Sequence, residues 1–502
     1  MDRTDIHWNW DIERSQMKLQ NILGVSAGYH DAAVSVVNTA GEIIYAGHAE
    51  RYSKQKNDAN IHVDMLFEAA QGRHIDHIAY YETPWKKQTR QWYSGQGIEW
   101  NRITTRQVLH EQLGGYFNDV PVTTYNHHLS HAAAGFQTSP YDRATVVVID
   151  AIGEWDTISI WGAEYDNGQA RYHRLWRQRY PRSIGLFYSA ITERIGLRPL
   201  DEEYITMGMA AWGKPEYTDT MSILMQENLH VGIDHVFLPT ARDVDIAASA
   251  QIVAEREIYK VMQRAQDFGW STNLVYMGGV ALNCLANRKL GDYFEKIWIM
   301  PCPGDAGSSL GAAALAYGRR LEWNNAYLGT EISGDYPVDA LVNCLLRDKI
   351  VGVASGRAEF GPRALGNRSL LADPRGADIK DCVNKIKRRQ QFRPFAPVVL
   401  EEYADLYFEM PKGWVDSRYM QIVGQCRFPD IFPAVIHVDG TSRIQTVPKD
   451  GSGIRQLLEA WMEKTGCPVL LNTSLNIRGE PMVNDRADAD RFEQLYGVKV
   501  CS

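Results

Sequence analysis

The chain has 502 residues, a formal net charge of −8 at pH 7, and 45% hydrophobic and 23% charged residues, a balance that is ordinary for a globular protein. The acidic balance argues against broad electrostatic binding of nucleic acid, although it leaves room for a local basic track. No apolar run reaches the roughly 20 residues that a membrane span needs, and the first residues lack the apolar core of a secretory signal. The seven cysteines form no CxxC pair, so the sequence indicates neither a zinc site nor a disulfide framework, and a reducing cytoplasm is the simplest location.

The N-terminal part of the chain begins with a charged extension and continues as a ladder of short strands. Residues 1–20 are predicted to form an extension, with one helix that packs onto the body. From Asn21, the runs ILGVS, AVSVV and EIIYAG predict three strands separated by short turns. The first turn contains a glycine and could converge backbone N–H groups on an anion, but many such hairpins bind nothing. By themselves, His30 and Asp31 in this turn are best interpreted as residues that cap it.

Two segments in the first third of the chain combine chemistry with helical spacing. Residues 83–95 interleave three aromatic side chains with three cations, which is typical of an amphipathic helix and, less often, of a surface that stacks bases. Further on, His127 and His131 are four residues apart, so on a helix they lie on one face and could bind one metal ion. The strand predicted over 144–157 brings Asp150 to a turn, where aspartate is common for structural reasons alone.

Residues 171–182 carry five arginines, which alternate with aromatic residues at nearly two-residue spacing. This pattern predicts a strand that displays cations. An anionic partner and an ordinary edge strand guarded by charge explain it equally well, and both interpretations stay open.

A strand, a glycine pair and a helix are predicted over residues 274–290. Gly278 and Gly279 would let a nucleotide approach the backbone at the helix start, and Asn283 lies on the same helix. The glycine pair alone would not establish nucleotide binding. Residues 319–345 break the periodicity and are the best domain boundary, and no internal repeats are visible.

The densest concentration of positive charge lies between Ser355 and Pro397. Ten cations alternate there with glycines and prolines that fix tight turns: arginines 357, 363, 368, 375, 388, 389 and 393 and lysines 380, 385 and 387. Arginine binds phosphate or carboxylate oxygens in pairs. We therefore predict a pocket for a phosphate-bearing small molecule, in preference to a surface network of ion pairs. Downstream, residues 467–483 begin with a predicted apolar strand, and polar groups that could hold an anion follow it: Asn472, Thr473, Ser474 and Asn476.

Three stretches carry a family resemblance: EFGPRALGNRSLLADPR, IKRRQQFRPFAP and NTSLNIRGEPMV. They resemble the signature blocks of the O-carbamoyltransferases, which include nodulation-factor, aminoglycoside and cephamycin carbamoyltransferases and phage-encoded relatives. Similar blocks recur from residue 22 to about residue 483. The resemblance implies an α/β fold: a two-lobed domain over 21–330, like actin, the sugar kinases and the threonylcarbamoyl transferases, and an α+β YrdC-like domain over 345–502.

The resemblance also implies the chemistry. The C-terminal domain would make carbamoyl-AMP from carbamoyl phosphate and ATP, with Mg²⁺ accompanying the ATP, and an acceptor hydroxyl would then attack at the N-terminal site. His30, with Asp31 beside it, would be the base, and iron or another divalent metal would bind His127, His131 and Asp305. The loop at Asp150, which follows the histidine block, resembles a second phosphate or metal loop of the actin and sugar-kinase superfamily. The nucleotide-binding residues implied are Gly278, Gly279, Asn283, Arg363, Arg368, Ser369, Lys387, Arg389, Arg393, Asn472 and Ser474. The chain departs from the family pattern at Asn57, Arg182, Trp212 and Gln390.

The acceptor is the open part of this prediction. MGMAAWG, residues 207–213, is similar to the branch of phage relatives that act on 5-hydroxymethylcytosine in DNA, so this base is the expected acceptor. A small-molecule hydroxyl, as on a sugar or antibiotic, is the alternative, and the acidic net charge favours it. A sugar-kinase-like phosphotransferase and a non-catalytic nucleotide-binding scaffold are competing hypotheses, but the phosphotransferase leaves residues 355–483 unexplained. We expect no membrane partner, and the sequence leaves a homodimer open.

Overall fold

The computed structural model describes residues 21–234 and 236–502. The predicted N-terminal extension, residues 1–20, lies outside the described residues. In the part of the chain that the structure describes, no helix is both long enough and apolar enough to cross a lipid bilayer.

The first lobe is built on a five-stranded mixed sheet. Its strands are β1 (Asn21–Ser26), β2 (Ala33–Asn38), β3 (Ile43–His48), β4 (His77–Tyr80) and β5 (Val122–Thr124). The strand order is β3-β2-β1-β4-β5, in which β1 to β3 form an antiparallel meander and β4 and β5 continue parallel to β1. The three strands predicted from the first apolar runs are therefore confirmed.

Five helices follow the strands of this lobe: α1 (Glu50–Ser53), α2 (Val63–Ala70), α3 (Pro84–Tyr93), α4 (Thr105–Leu113) and α5 (His127–Thr138). Helix α3 confirms the helical interpretation of residues 83–95. Helix α5 is capped by Asn126, whose side chain accepts a hydrogen bond from the backbone N–H of Leu129 at 3.2 Å. That cap fixes where the helix starts, and so fixes the direction in which His127 and His131 project.

The second lobe repeats the strand order of the first. Its strands are β6 (Arg143–Gly153), β7 (Asp156–Asp166), β8 (Gln169–Arg179), β9 (Asn273–Met277) and β10 (Lys296–Trp298). Strands β6 to β8 form an antiparallel meander, and β9 and β10 continue parallel to β6. This repeat of topology confirms the predicted two-lobed, actin and sugar-kinase-like α/β fold, although the sequence shows no corresponding repeat.

Six helices belong to the second half of this domain: α6 (Ile184–Arg194), α7 (Glu203–Met209), α8 (Thr218–Leu224), α9 (Asp243–Asp267), α10 (Cys284–Asn287) and α11 (Gly307–Tyr317). Helix α11 returns to the first lobe and packs on its sheet. A Cβ atom at Gly24 would overlap the carbonyl oxygen of Ser309, and one at Gly311 would overlap that of Ser130. The glycines are therefore required for this close approach.

The C-terminal part of the chain is built around a third, six-stranded sheet of order β19-β15-β20-β14-β12-β21. Its strands and their neighbours are β11 (Tyr327–Ile332), β12 (Ile350–Ala354), β13 (Gly356–Glu359), β14 (Arg368–Ala372), β15 (Ala396–Leu400), β16 (Phe408–Glu409), β17 (Val423–Cys426), β18 (Thr441–Arg443), β19 (Gln445–Val447), β20 (Val469–Ser474) and β21 (Val500–Cys501). The helices are α12 (Val338–Asp348), α13 (Ile379–Ile386), α14 (Ala404–Tyr407), α15 (Gly453–Thr465) and α16 (Arg486–Tyr496). The exact domain limits stay a prediction.

Each of the three sheets has its own apolar core, represented by Val36, Ile149 and Leu371. Polar contacts join the C-terminal part to the second lobe. The side-chain amide of Asn287 donates to the carbonyl of Gln421 at 2.9 Å, and Arg478 forms an ion pair with Glu202 at 2.9 Å. The region between these parts contains the candidate site.

Candidate active site

A cavity of about 480 Å³ lies between the two lobes and the C-terminal part. Its walls include His30, Asp31, Asp150 and Asp305 from the lobes, and arginines and a lysine from the C-terminal part. Residues that the sequence placed in two separate sites therefore border one continuous space.

Four buried side chains converge beside this cavity and form a candidate metal cluster: His127, His131, Asp150 and Asp305. The two histidines come from α5, Asp150 from the end of β6, and Asp305 from the loop before α11. The two Nε2 atoms are 3.1 Å apart, and each lies 3.2–3.3 Å from Oδ1 of Asp305. Oδ2 of Asp150 lies 3.4 Å from Nε2 of His127. Among residues 21–234 and 236–502, this is the one group of its kind.

The geometry of the cluster fits a bound cation. With metal–ligand bonds of about 2.0–2.2 Å, neighbouring ligand atoms lie about 3.0–3.5 Å apart in octahedral or tetrahedral sites, which is close to the separations seen here. The electrostatics agree. Burial opposes ionisation of Asp305, yet the neighbouring histidines hold its pKa below the usual value. Burial also opposes protonation of His127, but the adjacent carboxylates raise its pKa. Two buried carboxylates thus call for positive charge at this point, and a divalent cation would supply it.

A second layer of charged groups lies behind His127. Its Nδ1 atom is 3.6 Å from Oε2 of Glu82, and Oε1 of Glu82 accepts a hydrogen bond from Nζ of Lys87 at 2.7 Å. Glu82 and Lys87 are both buried. A carboxylate on the outer nitrogen of a histidine fixes its ring orientation and leaves the other nitrogen free for a metal. The arrangement therefore favours Nε2 of His127 as the ligand atom.

His30 lies at the edge of the metal cluster, on the cavity wall. Its Nδ1 atom is 3.1 Å from Oδ2 of Asp31, and its Nε2 atom is 3.7 Å from Oδ2 of Asp305. Burial would lower the pKa of His30, but the bond to Asp31 and the charge of Asp305 outweigh it and raise the pKa to about 9. A ring with this pKa is protonated at neutral pH, whereas the base implied by the resemblance has to be neutral. A cation held by Asp305 would oppose the shift, because its charge favours the neutral ring.

The glycine pair lies between the metal cluster and the cavity. The backbone N–H of Gly279 donates to Oδ1 of Asp150 at 3.2 Å, so this turn orients one candidate ligand. Gly278 has φ of +89°, and a Cβ there would overlap the backbone of Ile149. Asn283 lies on the cavity wall, where its side chain caps α10 and exchanges hydrogen bonds with Gln251. Gly279 and Asn283 thus border the space, as a nucleotide site would require, whereas Gly278 lies behind them against Ile149.

Besides Arg478, which is paired with Glu202, five cations from the C-terminal part border the cavity and form what we call the cation wall: Arg363, Lys387, Arg389, Arg393 and Arg443. Within the described chain, none of them forms an ion pair with a carboxylate. Arg393 lies over the ring of Tyr204 at 4.8 Å, and Nζ of Lys387 donates only to neutral oxygens such as the carbonyl of Asn476 at 2.9 Å. Burial and neighbouring Arg443 lower the pKa of Arg363 to about 9. Uncompensated positive charge at this density is suited to a polyanionic ligand.

The prediction that Arg368 and Ser369 bind the nucleotide requires a correction, because neither residue lies on the cavity. Arg368 is fully buried and directs its donors at backbone carbonyls. Nε donates to Asn484 at 2.9 Å, and the two Nη atoms donate to Ser355 at 3.0 Å and Thr330 at 2.8 Å, among others. A guanidinium whose donors are used in this way stabilises the fold and has no free donor for phosphate. Ser369 lies beside it in β14.

Asn472 and Ser474, at the end of β20, do border the cavity. The amide of Asn472 donates to the carbonyl of Ala364 at 3.1 Å, which ties β20 to the loop that carries Arg363. Its own oxygen is buried without a hydrogen-bond partner among the described residues. The Oγ atom of Ser474 accepts a hydrogen bond from Nζ of Lys387 at 3.2 Å. These polar groups therefore complete the wall around the cations.

Sequence reasoning missed two residues of the site. Arg443 ends the short strand β18, well outside the arginine-rich stretch between Ser355 and Pro397, and only the fold brings it beside Arg363. The resemblance indicated a phosphate or metal loop at Asp150, but Asp150 was not among the predicted ligands. Its position after an apolar strand was the available signal.

Only some of the cations and rings in the two surface segments, 83–95 and 171–182, are free to contact a nucleic acid. In β8, Arg177 and Arg179 lie 3.9 and 3.6 Å from Asp156, and the hydroxyl of Tyr172 donates to buried Gln137. Arg171 and Arg174 are exposed. On α3, Trp85 and Trp92 are exposed.

Comparison with known proteins gives matches along almost the whole chain. The model for the carbamoyltransferase N-terminus matches residues 21–232 and 227–314, and that for the carbamoyltransferase C-terminus matches 342–500. An uncharacterized protein from Synechocystis sp. is 33% identical, with 94% of each chain covered. Nodulation protein NolNO from Sinorhizobium fredii is 30% identical over 92% of this chain and 76% of its own. Among solved structures, HypF from T. kodakarensis matches 60% of this chain and 48% of its own, with a TM-score of 0.33 and 16% identity.

Proposed function

The chain belongs to the carbamoyltransferase family, and from this membership we propose that it makes carbamoyl-AMP from carbamoyl phosphate and ATP and transfers the carbamoyl group to an acceptor hydroxyl. The observation that carries the proposal is the single cavity that borders both the metal cluster and the cation wall. A reactive adenylate formed against the cations could reach the metal cluster without entering bulk solvent.

The first half-reaction brings together two polyanions. Carbamoyl phosphate, ATP and one water give carbamoyl-AMP, phosphate and pyrophosphate: water releases phosphate from the carbamoyl group, and the carbamate oxygen then displaces pyrophosphate from the α-phosphorus of ATP. Arg363, Lys387, Arg389, Arg393 and Arg443 would offset the repulsion between the phosphates, and Asn472 and Ser474 would orient them. Mg²⁺ would accompany the ATP on phosphate oxygens and water, since the described chain offers one metal cluster only.

In the second half-reaction the acceptor oxygen attacks the carbonyl carbon of carbamoyl-AMP. The new C–O bond forms, the bond from carbon to the AMP oxygen breaks, and AMP leaves. We propose that Nε2 of His30 takes the hydroxyl proton and that Asp31 orients its ring. His127, His131, Asp150 and Asp305 would hold iron or another divalent cation, which would polarise the carbonyl oxygen. Gly279 and Asn283 would face the adenosine.

For the acceptor, we propose 5-hydroxymethylcytosine in DNA. The exposed rings of α3, with Trp85 and Trp92, and the exposed Arg171 and Arg174 of β8 support it, because stacking and charge together hold a polynucleotide. A small-molecule hydroxyl is the second candidate. It is favoured by the pairing of Arg177 and Arg179 with Asp156 and by the net charge of −8.

One incubation tests both the reaction and the acceptor. The protein is given ATP and carbamoyl phosphate, with hydroxymethylated DNA and a panel of free sugars side by side, and every product is weighed by mass spectrometry. We expect AMP and pyrophosphate only when both donors are present, and one added carbamoyl group on the DNA. Modification of a sugar alone would establish the second candidate. Release of ADP with a phosphorylated acceptor would instead establish a phosphotransferase.

A further inference from the structure

The loop over residues 360–367 carries Arg363 and is anchored at two points. The first anchor comes from its own domain. One carboxylate oxygen of Glu359 accepts hydrogen bonds from the backbone N–H groups of Leu365, Asn367 and Arg368, at 2.8, 2.9 and 3.2 Å. Glu359 is almost fully buried. This anchor fixes the C-terminal half of the loop.

The second anchor comes from the first lobe. The backbone N–H of Gly361 donates to Nε2 of His48 at 3.0 Å, and Nη2 of Arg51 donates to the carbonyl of Gly361 at 3.1 Å. His48 is 8% exposed and Arg51 is 3% exposed, so water does not compete for either bond. The backbone N–H and the carbonyl of Gly361, two positions before Arg363, are thus both held by side chains that lie more than 300 positions earlier in the sequence.

The same anchor touches the loop that leads to the metal cluster. Gly361 has φ of +138°, and a Cβ there would lie 2.5 Å from the carbonyl oxygen of Pro301. Nε2 of His48 is 3.8 Å from Sγ of Cys302, and its ring packs on Phe360 at 5.2 Å. His48 therefore contacts the loop of Arg363 and the loop of Asp305 at once.

The protonation state of His48 agrees with this role. Nε2 accepts a hydrogen bond from a backbone N–H, which requires an unprotonated nitrogen at that position. Burial, reinforced by the charge of Arg51, lowers the pKa of His48 to about 3. The acceptor is therefore present throughout the neutral range.

We propose that His48 and Arg51 are positioning residues for Arg363. The first lobe would then set the geometry in which the C-terminal part forms carbamoyl-AMP. The inference rests on the proposed function. Neither side chain needs to touch the nucleotide, because both act on the backbone of Gly361. The alternative is that they only hold the domains together, and the two roles predict different kinetics.

The test compares four variants of the full chain: His48→Ala, His48→Gln, Arg51→Met and Tyr52→Phe. Pyrophosphate release is measured without acceptor, at varied carbamoyl phosphate and ATP. Loss of one anchoring bond should lower kcat/KM about tenfold in His48→Ala and in Arg51→Met. His48→Gln should recover most of that loss, because its amide oxygen can accept from Gly361. Tyr52→Phe removes a hydroxyl that lies 2.8 Å from Oγ1 of Thr330 in β11 and 2.6 Å from Glu68 and Tyr45 in its own lobe, so it breaks a different contact between the two parts without touching Gly361. Its kcat/KM should stay within about twofold of the wild type.

Hydrogen exchange provides a readout that does not depend on turnover. The peptide containing Gly361 should exchange faster in His48→Ala and in Arg51→Met than in the wild type, and metal content should not change. Wild-type kcat/KM in both variants would overturn the inference, as would an equal loss in Tyr52→Phe. If His48→Ala does not fold, the comparison of kcat/KM between Arg51→Met and Tyr52→Phe decides between the two roles. A wild-type protein that releases no pyrophosphate with both donors would instead refute the proposed function, and the inference with it.

Discussion

At the scale of single residues, the cation wall makes the sharpest claim. Each of its side chains lies near other cations and none has a carboxylate partner in the described chain, so a bound polyanion is what would offset their repulsion. The cost of assembling such charge in a buried place is recovered only when the ligand binds. This separates the wall from arginines such as Arg375, whose charge is offset by Asp373.

Removing one charge from the wall should stop carbamoyl-AMP formation. We expect Arg363→Ala and Arg393→Ala to lower pyrophosphate release by about 100-fold or more, and Arg443→Ala to do the same, because each offsets phosphate repulsion. Initial rates of pyrophosphate release measure this. Arg375→Ala is the matched control, since Arg375 pairs with Asp373 away from the cavity and should leave the rate nearly unchanged. Unchanged release in both Arg363→Ala and Arg393→Ala would sink the assignment.

Arg368 should behave in the opposite way, although it lies in the same sequence motif. Arg368→Ala leaves several buried carbonyls, including those of Ser355 and Thr330, without their donor. We expect a loss of about 3–5 kcal/mol in the free energy of unfolding, measured by denaturant titration. Residual folded protein should still release pyrophosphate. A stable variant that cannot make carbamoyl-AMP would show that Arg368 acts on substrate after all.

At the scale of secondary-structure elements, the local patterns of the sequence were sufficient to predict those strands and helices that are defined by their own residues. The apolar runs of β1 and β6, and the four-residue spacing of His127 and His131, are such cases. The sequence could not separate Arg363 from Arg368, because both lie among glycines and small residues. Which of them meets the cavity depends on β13 and β14, whose register is set by distant strands. Arg443 was missed for the same reason.

Strand β8 allows a test of the acceptor at this scale. It is the edge strand of its sheet, and Arg171 and Arg174 lie exposed on it. If the acceptor is a polynucleotide, Arg171→Ala with Arg174→Ala should weaken DNA binding and reduce the slope of log K against log salt by about 1–2. Fluorescence anisotropy at several salt concentrations measures both. Pyrophosphate release should not change, and an unaltered salt slope would count against β8 as the DNA-binding surface.

At the scale of the whole molecule, the two half-reactions share one cavity but use different residues, so they should be separable. We expect His127→Ala or Asp305→Ala to lose bound metal and stop transfer to the acceptor, while pyrophosphate release continues at a reduced rate. Metal analysis by mass spectrometry, together with assays of each half-reaction, would show this. If metal content stays at the wild-type level in both variants, these residues are not ligands.

The return of α11 to the first sheet has a consequence for how the protein is made. Strands β1 and β2 are among the first described segments to leave the ribosome, yet the helix against which Gly24 and Ser35 pack begins only at Gly307. The first lobe therefore lacks part of its core until the second lobe has been synthesised. Contacts between such distant segments are slow to form, and they leave apolar surface uncovered in the meantime. During translation, the face of β1 and β2 that α11 covers is therefore exposed until the chain has been made past residue 317, and it is a surface that a chaperone could protect.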